Sequence, residues 1–350
     1  MIALLPPEAS TMPYGTLGRL VDDSSRIKSR LDGLTTQASS GLVAQTYGGL
    51  ASTAQLTLDL RPQLARVDIY SSNVTTAASR ADVSSQVLEQ LQKIASTFFS
   101  GTIGMAPQTS QEVDTLASQA SATLLQVQGL LNTKVGDSYI FAGQDSNNPP
   151  LPNASFNAYV QSIRTAASGL AVIGGPATAA ATMAAANAGS PFAATLPAAR
   201  QTLAIGFDVV VQTGLVAGQN AFVSQTGPAT TGSYVRDLIR SLATISSLNA
   251  GQTALGASFT TLVTDTRASL ESQISVIGNE NAGLGDDKQL LAMNQTTLND
   301  TKLALTTQIS SVENVDIAAT ATALTQAQTQ LQISYKLIAS MHSLSLVEYL

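Results

Sequence analysis

The sequence predicts a mainly α fold: an elongated antiparallel coiled-coil or helical bundle formed from both the N- and C-terminal segments, with an inserted small β-containing domain. Three observations carry this. Apolar residues recur at alternating spacings of three and four at both ends of the chain. Near the C-terminus one apolar position repeats every seven residues from Val263 to Val312. In the middle the composition changes: between Arg164 and Arg236 only Arg200 and Asp208 are charged, and Ala, Gly and Thr dominate.

The first helix follows Pro13, with Leu17, Leu20, Ser24, Ile27, Leu31, Leu34 and Ala38 on one seam. Gly41, Gly48 and Gly49 interrupt it. A second helix is expected from about residue 52 to 99, on Leu60, Leu64, Val67, Ser71, Val74, Ala78, Ala81, Ser85 and Leu88. Pro62 lies within this stretch and predicts a kink or a late start. A third helix reads from Val113, Ala117, Ala120, Leu124, Val127 and Leu131. The short loop before it implies antiparallel packing on the second.

The run Ser138-Tyr139-Ile140-Phe141-Ala142-Gly143 is β-prone, and Asn148, Pro149 and Pro150 follow it as a boundary. Within the insert, Leu203, Ile205, Phe207, Val209 and Val211 alternate at period two. A hairpin is expected between this run and a second one through Phe222 and Val223. Propensity leaves residues 177–188 open between helix and loop.

Val235, Leu238, Ile239, Leu242 and Ile245 restart the helical pattern. The longest helix follows, with Val263, Leu270, Ile277, Leu284, Leu291, Leu298, Leu305 and Val312 one heptad apart. Its fifty residues span roughly 75 Å at 1.5 Å per residue, which predicts an elongated molecule. Gly278, Gly283 and Gly285 are candidate bends, and Gln273, Asn281, Asn294, Gln295 and Thr301 put polar groups on the seam, where they fix register at a cost in stability. The pattern then shifts by five residues across Glu313-Asn314-Val315-Asp316 into a last seam, Ile317, Leu324, Leu331 and Ile338, beside the small residues Ala321, Ala327 and Ser334.

These readings divide the chain into an assembly helix at 1–49, disordered in the free monomer, and the first part of a helical core at 50–145. A divergent β-rich insert at 146–232, the second part of the core at 233–312 and a terminal assembly helix at 313–350 follow. The terminal seams are thin and polar-sided, so their burial is expected to be completed against each other and against neighbouring subunits.

Charged residues are only 11% of the chain, against about 25% in an average domain. A polar but uncharged surface gives up little desolvation energy on packing against copies of itself. The net charge of −6 argues against a nucleic-acid or membrane partner. Without Cys, disulfides and thiolate chemistry are excluded. Residues 1–13 lack a basic segment followed by an apolar run, so no Sec signal is expected, and no stretch of 18 apolar residues follows.

Catalysis has little to work with. His342 is the single histidine, so no histidine pair, zinc motif or Ser-His-Asp triad can be assembled. General acid-base chemistry needs titratable groups that the insert lacks. The pairs Asp22-Asp23 and Asp286-Asp287 read as solvated helix faces, and the triplets Asn73-Val74-Thr75 and Asn153-Ala154-Ser155 as chance glycosylation patterns. No enzyme activity, metal or cofactor is expected.

Several phrases together resemble the bacterial flagellin family. The segment Arg30-Leu31-Asp32-Gly33-Leu34 running to Ser39-Ser40-Gly41 is similar to the family's N-terminal helix and its break. Leu131-Asn132-Thr133, Gly136 and Tyr139-Ile140-Phe141-Ala142-Gly143 resemble the hook-filament junction branch of that family. Glu313-Asn314-Val315-Asp316-Ile317-Ala318 is similar to the turn that opens the last flagellin helix, and Leu344-Ser345-Leu346-Val347-Glu348-Tyr349-Leu350 to the junction branch's ending. After Gly41 the chain reads Gln45-Thr46-Tyr47-Gly48-Gly49, where the family usually has an acidic pair and Pro.

The resemblance implies an extracellular flagellar subunit, exported unfolded through the type III channel without a cleavable signal. It implies self-association in a ring or helical lattice, and hook-associated protein 1, flagellin and a flagellar export chaperone as partners. The assembly interface would fall on Leu17, Leu20, Ile27, Leu31, Leu34, Ile317, Leu324, Leu331, Ile338, Leu344, Leu346, Tyr349 and Leu350, with Ser39, Ser40, Gly41, Tyr139, Phe141 and Gly143 as family-motif positions. A flagellin of the filament itself and a soluble coiled-coil adaptor remain as alternatives.

Overall fold

The computed structural model describes residues 13–103, 105 and 110–347, and the side chains of 18–103, 105 and 111–341. In chain order the elements are α1 (Pro13–Ser40), α2 (Ala54–Ile103), α3 (Ser110–Leu131), β1 (Lys134–Val135), β2 (Ser138–Tyr139), α4 (Asn153–Ala167), α5 (Leu170–Ile173) and α6 (Gly175–Ala188). They continue as β3 (Gln201–Gly206), β4 (Val209–Thr213), α7 (Tyr234–Ser246), α8 (Ala257–Glu313) and α9 (Ile317–Val347). Single 3₁₀ stretches, Tyr47–Thr53 and Ala250–Leu255, precede α2 and α8. The fold is mainly α, with two small antiparallel sheets, β1-β2 and β3-β4. The chain divides into two units, one from the described residues of Met1–Arg66 and Thr301–Leu350, the other Val67–Asp300.

In the Val67–Asp300 unit the core is built along α8. Val263, Leu270, Ile277, Leu284 and Leu291 are all buried, one heptad apart, as the sequence pattern requires. Leu88, Leu91 and Phe98 of α2 and Val113, Leu124, Val127 and Leu131 of α3 belong to the same core. Leu116 of α3 packs over Gly101 of α2, so α3 folds back along α2. Helix α7 lies deep in this core, with Val235, Leu238, Ile239, Leu242 and Ile245 fully buried, and Ser233 caps it by accepting from the Arg236 N–H at 3.4 Å. Buried Ser241 meets Ser269 of α8 at 3.0 Å.

The polar seam positions of α8 are used unevenly. Asn281 accepts from Ser85 of α2 at 2.7 Å, and the Gln295 amide donates to Ser71 at 2.7 Å. Gln273 is buried with its Oε1 unpartnered. Helix α8 continues through Gly278, Gly283 and Gly285. A Cβ on Gly283 would collide with the ring of Phe222, so this glycine makes room for an incoming side chain. Helix α2 starts at Ala54, ahead of Pro62, and includes it. Pro62 is exposed, so water can satisfy the carbonyl that loses its helical donor.

The middle of the chain corrects two expectations. Residues 146–232 are less β-rich than the sequence suggested: α4 and α6 take up more of this stretch than the β3-β4 hairpin does. Helix α4 packs on α6 and α7, and Phe156, Tyr159, Ile163 and Leu170 enter the same core as the α8 heptad residues. The open choice at 177–188 falls to helix, because Thr178, Ala179, Thr182 and Ala186 of α6 are buried. Burial also pushes the phenol pKa of Tyr159 upward, and it donates to the Ala186 carbonyl at 3.3 Å.

The hairpin is formed differently from the expectation. The period-two run folds on itself, β3 against β4, with the turn at Phe207 and Asp208. Asp208 takes φ +56°, a conformation that Asp tolerates better than most residues. Phe207 is consequently 74% exposed while Ile205 is buried. The second expected strand, around Phe222 and Val223, forms no ladder. Its backbone donors go to Glu280 of α8, whose carboxylate is fully buried and accepts from the N–H groups of Ala221, Phe222 and Val223 at 2.8, 2.9 and 2.7 Å. Arg200 lies over the Phe222 ring at 4.7 Å and pairs with Asp287.

Glu280→Gln keeps the shape but removes the charge and turns an amide N–H₂ towards backbone donors. It should lower the stability of this unit by about 2–3 kcal/mol, whereas Glu271→Gln on the exposed face of α8 should change it by less than about 0.5 kcal/mol. Urea unfolding followed by tyrosine fluorescence checks both.

Candidate assembly interface

In the unit made from the chain ends, α1 packs along α9 as a helical hairpin. The crossing between them is fixed by backbone pairing. The Val43 N–H donates to the Glu313 carbonyl at 2.7 Å and the Val315 N–H to the Gly41 carbonyl at 3.0 Å, so Leu42 and Asn314 form an antiparallel bridge. Gly41, at φ +72°, ends α1 in the left-handed conformation suited to a helix C-terminus. Ser39 and Ser40 donate back to the Thr36 carbonyl at 3.0 and 2.8 Å. The Ser-Ser-Gly motif is thus a helix stop that turns the chain into the bridge.

The motif at the start of α9 is also explained. Asp316 accepts from the N–H groups of Ala318 and Ala319 at 2.9 and 3.1 Å, which is N-capping. Glu313 takes a two-point bond from Arg61, at 3.0 and 2.7 Å. That hydrogen bond, with the carboxylate charge, raises the Arg61 pKa. Arg61 is 53% exposed, so the pair orders the crossing more than it stabilises it.

The centre of the α1-α9 seam is made of small residues. Thr320, Ala327 and Ser334 are buried on α9, and Ser24 is buried on α1, with the Ser24 and Ser334 hydroxyls 2.5 Å apart. Leu20, Ile27, Leu31 and Leu34 on α1, and Leu324, Leu331 and Ile338 on α9, are half-buried. Small residues at the centre allow close approach, and the larger ones close over the sides. Ile317, the first residue of α9, is 62% exposed and lies outside this seam. The side chains of Leu17, His342, Leu344 and Leu346, and residues Tyr349 and Leu350 altogether, lie outside the described residues.

Outside the seam the two helices differ. All seven charged residues of α1, Arg19, Asp22, Asp23, Arg26, Lys28, Arg30 and Asp32, are exposed. Along α9 the sequence has one full charge, Lys336. Among its described side chains the exposed large apolar ones are Ile317, Ile333, Tyr335 and Leu337. At about 100° per residue, Ile333 and Leu337 fall on one flank of the seam, and Ile317 and Tyr335 on the other. Helix α9 therefore leaves exposed apolar side chains on both sides of the small-residue seam that α1 covers.

The second motif belongs to the other unit. Phe141 is fully buried and its carbonyl accepts from the Ala217 N–H at 2.9 Å, while Ala142 bridges to Val216. Tyr139 is half-buried beneath the Lys134 ammonium, 4.5 Å from the ring centre. Gly143, at φ +58°, sits where a Cβ would press on the Ala199 carbonyl and Val216. The Asn132 side chain binds the Leu151 backbone at both ends, at 2.9 and 3.0 Å. These residues join the helices to the middle segment and are structural in role.

Sequence reasoning did not find Arg61, Asp237 or Glu280. The signal available for the latter two was a lone acid beside apolar heptad positions. Among the described residues no cluster of His, Cys, Asp or Glu could hold a metal ion, and no helix is long and apolar enough to cross a membrane.

Two family models match this chain. The bacterial flagellin N-terminal helical region covers residues 22–146 and the C-terminal helical region residues 267–350. The chain belongs to the bacterial flagellin family, with its matched regions at the two ends and the middle, including α4 to α7, outside them. No curated protein sequence gives a match. Among solved structures, Bacillus cereus FlgL is similar at a TM-score of 0.48 and 13% identity, over 72% of this chain and 99% of that one. A putative flagellar hook-associated protein from Vibrio parahaemolyticus is similar at 0.42 and 10%, over 72% and 96%.

Leu331→Asp puts a charge beside the Ala327-Ser334 line and should destabilise the α1-α9 hairpin by about 1–3 kcal/mol. Faster amide hydrogen exchange along both helices is the expected readout.

Proposed function

We propose that this chain is a structural subunit of the flagellar hook-filament junction, of the hook-associated protein 3 type. The supporting observation is the terminal hairpin: its internal seam is closed by α1, yet the nearly uncharged α9 leaves Ile317, Ile333, Tyr335 and Leu337 uncovered on both flanks. A helix with exposed apolar side chains on each side of its intramolecular contact suits a lattice, where each subunit is gripped by neighbours on two sides. The expected interface on Leu17, Leu20, Ile27, Leu31, Leu34, Leu324, Leu331, Ile338, Leu344, Leu346, Tyr349 and Leu350 is accordingly divided. The half-buried positions among these order the hairpin, and Ile317 with the flanking residues meets the next copy.

In this reading the subunit self-associates in a ring or helical lattice, with hook-associated protein 1 on one side and flagellin on the other. It reaches the cell exterior unfolded through the type III channel, carried by an export chaperone, without a cleavable signal. Its work is geometric and involves no turnover. The Tyr-Ile-Phe-Ala-Gly segment and the closing Leu-Ser-Leu-Val-Glu-Tyr-Leu favour the junction over the filament. The match to both helical regions of flagellin is equally what a filament subunit would present.

Deleting the gene separates the two: a junction protein's loss leaves hooks without filaments and flagellin monomers in the medium, visible by electron microscopy and immunoblot. Loss of filament mass with no released flagellin would point to a filament subunit. Leu337→Asp, on an exposed flank, should leave monomer melting within about 1 °C of the parent. The same variant should abolish motility while the protein is still secreted; wild-type swimming would refute the role given to that flank.

A further inference from the structure

Charge is scarce around α7, and Asp237 and Arg240 are buried there. Arg236 and Arg240 stand four residues apart, on one face of α7. The Arg240 side chain is 3% exposed, and its guanidinium contact is a long one, to Asp265 at 3.4 Å. The Nε of each arginine has no hydrogen-bond partner. A guanidinium offers five donors, so Arg240 is under-satisfied for its depth, and a buried donor left unpaired is costly.

A strap of chain, residues 224–230, crosses over Arg240. Both of its ends are tied down by buried carboxylates. Glu280 holds the N–H groups of residues 221–223, and Asp237 accepts from the Thr230 hydroxyl at 2.6 Å and the Thr231 N–H at 3.0 Å. Beneath the strap lies a cavity of about 440 Å³, lined among others by Arg240, Asp265, Ser224, Thr226, Ser269 and Ser272. A second cavity of about 370 Å³, towards Met183 of α6, reaches the same Arg240 and Asp265 from beyond Pro228 and Ala229.

We propose that the cavity under the strap binds a small hydroxylated carboxylate of the sugar-acid class, with the carboxylate seated on Arg240. The chemistry follows from the lining. A planar guanidinium whose contact with its own acid is long matches a carboxylate in two-point geometry. The Ser and Thr hydroxyls around it can exchange hydrogen bonds with ligand hydroxyls, and they disfavour an apolar occupant. Asp265, 41% exposed, can turn to water when a ligand carboxylate takes its place. The buried anchors at the strap's ends hold the walls in position before binding, which reduces the ordering cost. Arg240, Asp265 and the strap lie outside the residues that the family models match, while Ala268, Ser269 and Ser272 fall within the C-terminal match; the site does not depend on the assembly role.

Calorimetric titration of the purified full chain with D-glucuronate and D-galacturonate tests the proposal, with D-glucose and inorganic phosphate as comparisons. One saturable site for at least one sugar acid, at least ~10-fold tighter than for glucose or phosphate, is expected. Arg240→Gln should weaken it at least ~10-fold. Because Arg240 is buried and its variant could fail to fold, Ala268→Phe provides a second test. Ala268 is an exposed residue of the cavity lining, so this change blocks the space while keeping the arginine and the circular dichroism spectrum. No saturable sugar-acid binding up to about 10 mM overturns the proposal. So does binding unaffected by Ala268→Phe, or phosphate binding as tightly.

Discussion

The packing of the Val67–Asp300 unit depends on the column of apolar residues that α8 presents once every seven positions. Val263, Leu270, Ile277 and Leu284 are buried together with residues from α2, α3, α4 and α7, and Leu291 continues the buried column. A heptad column specifies one helix face over a long distance, so the neighbouring elements are placed by what they can pack against it. The polar residues beside it set the register: Asn281 and Gln295 reach partners on α2, and Glu280 reaches the loop that returns to α7.

The same helix-packing chemistry is used differently in the terminal hairpin. There the centre of the seam is Thr320, Ala327 and Ser334 against Ser24, and hydrophobic area is moved to the edges. A contact of small residues brings helices close but buries little apolar surface, so it is modest in strength. Its register comes from the backbone bridge at Leu42 and Asn314, and the apolar flanks of α9 are left for other surfaces. Weak internal closure with outward apolar side chains is the arrangement that a lattice-forming subunit requires.

In the middle of the chain, buried carboxylates do what strands would do elsewhere. Ala221, Phe222 and Val223 find in Glu280 the acceptors that a neighbouring strand would have supplied, and Asp237 does the same at Thr231. Glu280 satisfies three backbone donors at once, and Asp237 one backbone N–H and one hydroxyl, which is how a carboxylate becomes tolerable in a core. These anchors make the segment over Arg240 a defined wall with fixed ends.

The helices outside residues 146–232, their order and the α8 face were legible in the sequence because local apolar period decides them, and the Ser-Ser-Gly stop and the turn into α9 were legible because their chemistry is local. The family resemblance lay in the same two ends. Tertiary structure alone decided that the period-two run folds at Asp208, that residues 177–188 are helical, and that α7 lies inside the core. It also put small residues, not Leu324 and Leu331, at the centre of the terminal seam. Those outcomes depend on partners distant in the chain, such as Glu280 for the amides of 221–223 and Arg61 for Glu313, and no spacing within one segment encodes them.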